Sequence, residues 1–184
     1  EDNKPQNMNV EFFIEDVPLG TAGSVKNAAP FIDGTFLIVS GDALTDIDLT
    51  AAIQAHKAGG AKATIVLKRL GNPLEYGVII TSDGGGVERF VEKPGWEDVF
   101  SDTVNTGIYV LEPEVLDLIP DRTQFDFAKN VFPLMMSKGM PIYGWVAEGY
   151  WCDVGNIESY IKAHEDILKG AVKVNIPGRN AGGI

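Results

Sequence analysis

Thr35-Phe36-Leu37-Ile38-Val39-Ser40-Gly41-Asp42 is the stretch on which the fold turns. A continuous apolar run of this kind is expected of a strand covered on both faces, and it stops at a glycine followed by a carboxylate. Downstream, Asp48 reads as the N-cap of a helix whose apolar face includes Leu49, Ala52, Ile53 and His56. Ala63 to Leu67 then reads as a second buried-type strand. Strand, helix and strand make a β-α-β arrangement and predict a parallel pair.

The pattern extends in both directions. Upstream, Val10 to Ile14 reads as a short strand, rich in β-branched and aromatic residues, and Pro18 to Gly23 as a loop feeding a helix that Pro30 closes. Downstream, Tyr76 to Thr81 and Val87 to Lys93 flank Asp83-Gly84-Gly85-Gly86, a hairpin signal. Thr106 to Leu111 and Pro141 to Val146 read as further strands, with short helices at Glu112 to Leu118 and Phe127 to Met136. The clearest helix runs from Asn156 to Leu168, where Ile157, Tyr160, Ile161, His164, Ile167 and Leu168 share a face and Gly170 ends it. The expectation is one α/β domain over residues 1–170: a mixed, mostly parallel sheet with helices on both faces and an antiparallel insertion. Residues 171–184 form a Gly-rich tail. Ligands of such sheets sit beyond the carboxyl ends of strands, which puts the loops after Ile14, Ser40 and Val146 near any site.

Composition narrows the partners. With 184 residues, 45% hydrophobic and 22% charged, the chain suits one soluble globular domain. A formal charge of -11 argues against a nucleic-acid backbone or an anionic membrane surface, both of which require clustered Lys and Arg. One bound nucleotide stays compatible, since placed donors and a metal handle a local anion. The lone Cys152 offers no internal disulfide, and no apolar run approaches the ~18 residues of a membrane span. A cytoplasmic location is expected.

The residues that could carry chemistry each have two readings. Asp42, held by rigid backbone at a strand end, suits a hard cation such as Mg²⁺, or caps the following turn. Asp153, in Tyr150-Trp151-Cys152-Asp153-Val154-Gly155, is a second cation ligand or a turn aspartate near a helix N-terminus. Glu92 and Lys93 either read sugar hydroxyls and a phosphate or blunt an edge strand before Pro94. Asp46-Ile47-Asp48 matches the DxD pattern of metal-dependent glycosyltransferases, although Asp48 already serves as an N-cap. Cys152 reads as a packing residue, His56 and His164 as helix-face residues near the core edge, and Trp96, Trp145 and Trp151 as packing or stacking aromatics.

The order of these motifs is more specific than any one of them. Glu15 to Gly23, Val39-Ser40-Gly41-Asp42, Tyr76-Gly77-Val78, Val91-Glu92-Lys93-Pro94, Asn105 to Tyr109 and Trp151 to Gly155 together resemble the sugar-1-phosphate nucleotidyltransferases across residues 9–170. The loop and closing motifs look nearest to the mannose-1-phosphate guanylyltransferase branch. The resemblance implies a Rossmann-like, GT-A-like domain joining a nucleoside triphosphate, GTP, to a sugar 1-phosphate, mannose 1-phosphate, with release of pyrophosphate. It implies Mg²⁺ on Asp42 and Asp153, and the nucleotide at Glu15, Leu19, Gly20 and Thr21, with Gly20 against the base. It assigns the sugar to Gly77, Glu92 and Asn105, and Lys93 to the sugar phosphate. A non-catalytic nucleotide-sugar sensor of the same family is the alternative.

The family's opening Gly-rich GxGTRL-type loop, which wraps the triphosphate, and its downstream PKP lysine have no counterpart here. The resemblance therefore implies that the first βαβ unit is missing and that the chain alone has little transferase activity. It also implies homo-oligomers formed through an exposed sheet edge, and a tail resembling the start of a left-handed β-helix.

Overall fold

The computed structural model describes residues 8–92, 95 and 101–175. In chain order the elements are α1 (Gly20–Asn27), β1 (Phe36–Val39), β2 (Ala43–Thr45), α2 (Leu49–Gly59), β3 (Ala63–Arg69), β4 (Gly77–Thr81), β5 (Val87–Glu92), β6 (Thr103–Leu111), α3 (Phe132–Ser137), β7 (Ile142–Val146), β8 (Trp151–Asp153) and α4 (Ile157–Leu168). A six-stranded mixed sheet runs β5-β4-β6-β3-β7, with β1 also paired to β6, and β2 and β8 make a separate two-stranded sheet. The α/β class and the β4–β5 hairpin agree with the sequence reading.

The expectation of a mostly parallel sheet is corrected: β1 with β6, β3 with β6, β4 with β6 and β4 with β5 all pair antiparallel. β1 and β3 point the same way, but both pair antiparallel with β6, which lies between them. The neighbouring parallel pair is β3 with β7. Periodicity reports which faces are covered, and cannot say which strand comes to lie alongside.

The period-2 alternation of β3 and β6 feeds two cores. Ile65, Leu67, Tyr109 and Leu111 pack with Ala22, Phe127, Phe132 and Met135 on one face. Val66, Val104, Ile108 and Val110 meet Ala52 and Trp151 on the other. Helices therefore flank both faces. Among the described residues no buried side-chain nitrogen or oxygen lacks a partner; His56, fully buried rather than at the core edge, has Nδ1 2.8 Å from Thr64 Oγ1 and Nε2 3.0 Å from Glu112 Oε1.

Local expectations are corrected or refined. Val10 to Ile14 forms no strand among the described residues, and Ile14 is 92% exposed; β-branched composition favours a strand only where a neighbour accepts the ladder. β1 is half-buried, because it pairs on one edge only. The segments read as helical at 112–118 and 127–136 are helical, as a 3-10 helix (Pro113–Leu118) and as a turn of π-helix (Phe127–Val131) that runs into α3. Finally, α4 forms where expected, with an Asn156–Ser159 capping box, but docks through Ala163 and Asp166 and leaves its apolar stripe exposed.

Candidate active site

The β2–β8 pair is what joins the two ends of the chain's chemistry. Asp42 lies just before β2 and Asp153 ends β8; the register sets Ala43 opposite Asp153, and the Val154 N–H donates to the Asp42 carbonyl at 2.9 Å. Both aspartates line one cavity of about 290 Å³, together with Thr21, Gly77 and Asn105. Ser40 Oγ donates to Asp42 Oδ1 at 2.6 Å, fixing that carboxylate's rotamer at the end of β1.

Asn105 reaches the cavity through a bulge. Between Ile65 and Leu67 of β3, the partner strand β6 passes from Tyr109 to Asn105, so Thr106 to Ile108 carry extra length. Gly107 takes φ +74° there, with Ser40 packed so close that a Cβ would lie 3.1 Å from the serine's own. Hydrogen bonds hold the bulge in place. Thr106 Oγ1 donates to the Val66 carbonyl at 2.7 Å, Trp151 Nε1 donates to the Thr106 carbonyl at 3.0 Å, and Asn105 Nδ2 donates to Tyr109 Oη at 2.9 Å. The bulge is thus a rigid shelf, and Trp151 is part of its support.

Gly20 has a structural cause beyond the one expected. Its φ is +71°, and a Cβ would meet the Phe125 carbonyl oxygen at 2.6 Å. The loop is laced to the 125–127 segment: the N–H groups of Ala22 and Gly23 donate to the Phe125 carbonyl, and Phe125 N–H donates to the Leu19 carbonyl at 2.9 Å. Thr21 Oγ1 donates to Asp126 Oδ2 at 2.9 Å, while Asp126 Oδ1 caps the π-turn through the N–H groups of Ala128 and Lys129. Glu15 Oε2 accepts the Leu19 N–H at 3.1 Å. Glu15 and Leu19 line a second hollow of about 450 Å³, with Phe13, Asn27 and Arg122, so the residues read as one nucleotide group are divided between two depressions.

Residues given no role in the sequence reading also line the first cavity: Tyr76 and Tyr109, which stand in the quoted motifs, and Glu75 and Asp126, which do not. Glu75, Tyr76 and Asp153 continue into a neighbouring hollow of about 770 Å³ bounded by Asn156, Glu158 and Lys162. Burial, then the negative charges of Asp153 and Glu75, push the Tyr76 phenol above its usual range, so it stays a neutral donor. The Tyr76 ring meets Trp151 edge-on at 5.3 Å. The adjacency of Tyr76 to Gly77 was the signal that could have found it; Asp126 gave none, since a capping aspartate looks the same anywhere.

Gly77 faces Glu92 across the β4–β5 ladder. Lys93, Pro94 and Trp96 lie outside the described residues. Among the described residues no group of three or more His, Cys, Asp or Glu side chains is placed to hold a metal ion. Two carboxylates still fit Mg²⁺, which commonly takes one or two from the protein and completes its shell with phosphate oxygens and water.

The alternative pair, Asp46 and Asp48, is used otherwise. Asp46 Oδ1 accepts the Tyr150 N–H at 2.6 Å and Oδ2 the Lys173 N–H at 2.8 Å, and these two bonds hold its carboxyl below the usual range. Asp48 Oδ1 accepts the Ala51 N–H at 3.0 Å as the N-cap of α2. Neither lines the cavity that Asp42 and Asp153 share.

A family model described as nucleotidyl transferase matches residues 1–170. A UTP–glucose-1-phosphate uridylyltransferase of Synechocystis sp. is 41% identical over 166 residues, covering 87% of this chain and 43% of that protein. A mannose-1-phosphate guanylyltransferase of Mycobacterium tuberculosis is 33% identical over 171 residues, covering 92% and 47%. The chain thus spans less than half the length of these curated relatives. Among solved structures, HddC from Yersinia pseudotuberculosis, complexed with GMP-PN, superposes with TM-score 0.75 at 27% identity over 90% of this chain and 70% of that one. No helix among the described residues is long and apolar enough to cross a membrane.

Proposed function

The chain belongs to the nucleotidyl transferase family of sugar-1-phosphate nucleotidyltransferases, and from that premise we propose that its cavity serves transfer of a nucleotidyl group from a nucleoside triphosphate to a sugar 1-phosphate. The observation that carries the proposal is the convergence of Asp42 and Asp153, from distant parts of the sequence, on one cavity with Gly77 and Asn105.

Such a transfer asks mainly for positioning and charge neutralisation. Mg²⁺, held by Asp42 and Asp153, would supply the positive charge that offsets the phosphates. Ser40 keeps Asp42 oriented toward the cavity. The Asn105 amide and the Tyr76 hydroxyl offer donors to sugar hydroxyls, while Gly77 leaves room for the ring. Glu92 ends β5, the strand paired with β4, and Lys93 is next in sequence; their proposed share is a hydroxyl acceptor and a phosphate charge. Glu15, Leu19, Gly20 and Thr21 would border the nucleotide, their loop held by Phe125 and Asp126.

For the base, guanine is our reading, with mannose as the sugar. A carboxylate at Glu15 accepts from a guanine N1–H and N2–H₂ pair, which uracil lacks. The Mycobacterium relative and the GMP-PN complex of HddC support it. Uridine is the second reading, favoured by the 41% identity to the Synechocystis uridylyltransferase.

Calorimetric titration of the chain with GDP-mannose and with UDP-glucose, each with and without Mg²⁺, tests both levels. Mg²⁺-dependent binding of GDP-mannose, at least about tenfold tighter than UDP-glucose, is expected. The reverse order replaces guanine by uracil. Binding of neither would overturn the proposal, and binding indifferent to Mg²⁺ would favour a nucleotide-sugar sensor.

A further inference from the structure

Thr21 and Asp126 lie 105 residues apart in sequence and meet at the wall of the first cavity, which both line. Thr21 Oγ1 donates to Asp126 Oδ2 at 2.9 Å and accepts the Phe127 N–H at 3.1 Å. A hydroxyl has one proton, and here it is committed to Asp126. Toward a ligand Thr21 therefore keeps a lone pair and a methyl group, but no donor.

The carboxylate is fixed from its other side. Asp126 Oδ1 accepts the Ala128 and Lys129 N–H groups at 3.0 and 3.3 Å, and the Asp126 N–H donates to Asn130 Oδ1 at 2.9 Å. Close packing leaves the loop little choice of seating. A Cβ on Gly20 would lie 2.6 Å from the Phe125 carbonyl oxygen, and one on Gly23 2.6 Å from that of Thr123. The same segment also reaches Asn105. Phe127 is buried with its ring 5.2 Å from that of Tyr109, whose Oη accepts the Asn105 amide. One short stretch thus sets Thr21 through Asp126, and Asn105 through Phe127 and Tyr109.

We propose that Asp126 is a positioning residue: acting through the Thr21 hydroxyl, it holds the Leu19–Thr21 loop in fixed register with Asn105, ready for a nucleotide-sugar, and makes no contact with the ligand itself. This rests on reading the cavity as the nucleotidyl-transfer site. The contribution is preorganisation, since a loop already tethered in the free protein need not be ordered when the ligand arrives.

Calorimetric titration with GDP-mannose and with UDP-glucose, both with Mg²⁺, tests this on whichever ligand binds tighter. Asp126→Asn keeps an oxygen for the Ala128 and Lys129 N–H groups but sets an N–H donor where Thr21 donates, so the cap survives and the tether does not. It should weaken binding about tenfold and leave the urea midpoint unchanged. Thr21→Val should lose about the same, and Thr21→Ser, which restores the hydroxyl, should stay within about twofold of the parent. The double variant, Asp126→Asn with Thr21→Val, should bind no more than about twofold worse than either single one, because both remove the same tether. Losses that add to about 100-fold would mean that one of the two side chains meets the ligand directly, and would overturn the proposal. Equal losses in Thr21→Ser and Thr21→Val would do so as well.

Asp42→Asn, measured alongside, separates this role from the reading beneath it. A parent chain that binds neither ligand, or whose binding survives Asp42→Asn, sinks the cavity reading and the positioning role together. Binding lost in Asp42→Asn but kept in Asp126→Asn and Thr21→Val overturns the positioning role alone.

Discussion

Asp42 and Asp46 stand four residues apart on either side of β2, and the fold treats them oppositely. Asp46 is consumed: both oxygens accept backbone N–H groups, from Tyr150 and Lys173, and a Cβ on Gly149 would strike its Oδ1 at 2.6 Å. Asp48 beside it is spent on the cap of α2. Asp42 is held by a serine hydroxyl, and its carboxylate faces a cavity that Asp153 shares. A carboxylate with both oxygens tied to main-chain donors is a structural strut. One that is oriented by a side chain at a cavity wall can meet a ligand. The DxD pattern and the single Asp42 differ in this accounting of acceptors, which three-letter motifs do not record.

Breaking each pair should separate the two roles. Asp42→Asn and Asp153→Asn should each weaken Mg²⁺-dependent nucleotide-sugar binding by about 100-fold, near 2.7 kcal/mol, with little change in denaturant stability. Asp46→Ala should do the reverse: it strands two backbone N–H groups and should cost about 2 kcal/mol by urea unfolding, while the folded fraction binds as before. Asp48→Ala removes only an N-cap and should cost about 1 kcal/mol.

The smallest effect is pH dependence. Backbone N–H groups hold Asp46 below its ordinary 3.8, and the Thr35 hydroxyl and then His56 hold Glu112 below its ordinary 4.5. A carboxyl lowered by folding contributes stability above its unfolded value and loses it as pH falls through the folded one. Urea midpoints should therefore be flat above about pH 5 and decline toward pH 3, and Asp46→Asn should flatten the lower part of that decline.

Much of the fold was legible because burial leaves periodic marks. The β4–β5 hairpin followed from its Gly-rich turn, β3 and β6 from their apolar runs, and α4 from its spacing and cap. What escaped depended on partners. No local pattern says that β6 comes between β1 and β3, or that Val10 to Ile14 forms no strand. The two short strands β2 and β8, of three residues each, carry too little pattern to be read, yet they bring Asp42 and Asp153 together. Apolar spacing in α4 announced a helix, but which face docks was decided by Tyr150 and Asp166, polar residues that hydropathy ignores.

The site divides in the same way. Asp42, Asp153, Gly77, Asn105 and Thr21 line the first cavity, while Glu15 and Leu19 line a separate hollow. Asp126 was invisible because its place comes from a π-turn laced to the loop of Gly20, whereas Tyr76 stood in a quoted motif without a role of its own.

Whether Asp42 and Asp153 act on a single cation is open to one direct measurement: electron paramagnetic resonance titration of Mn²⁺, with GDP-mannose present, into the chain, into each Asp→Asn variant and into the double variant. One tight Mn²⁺ per chain is predicted, lost to the same extent in either single variant and no further in the double, because removing one ligand already breaks a shared site. Tight Mn²⁺ retained in both single variants, or losses that simply add, would contradict a common ion between them.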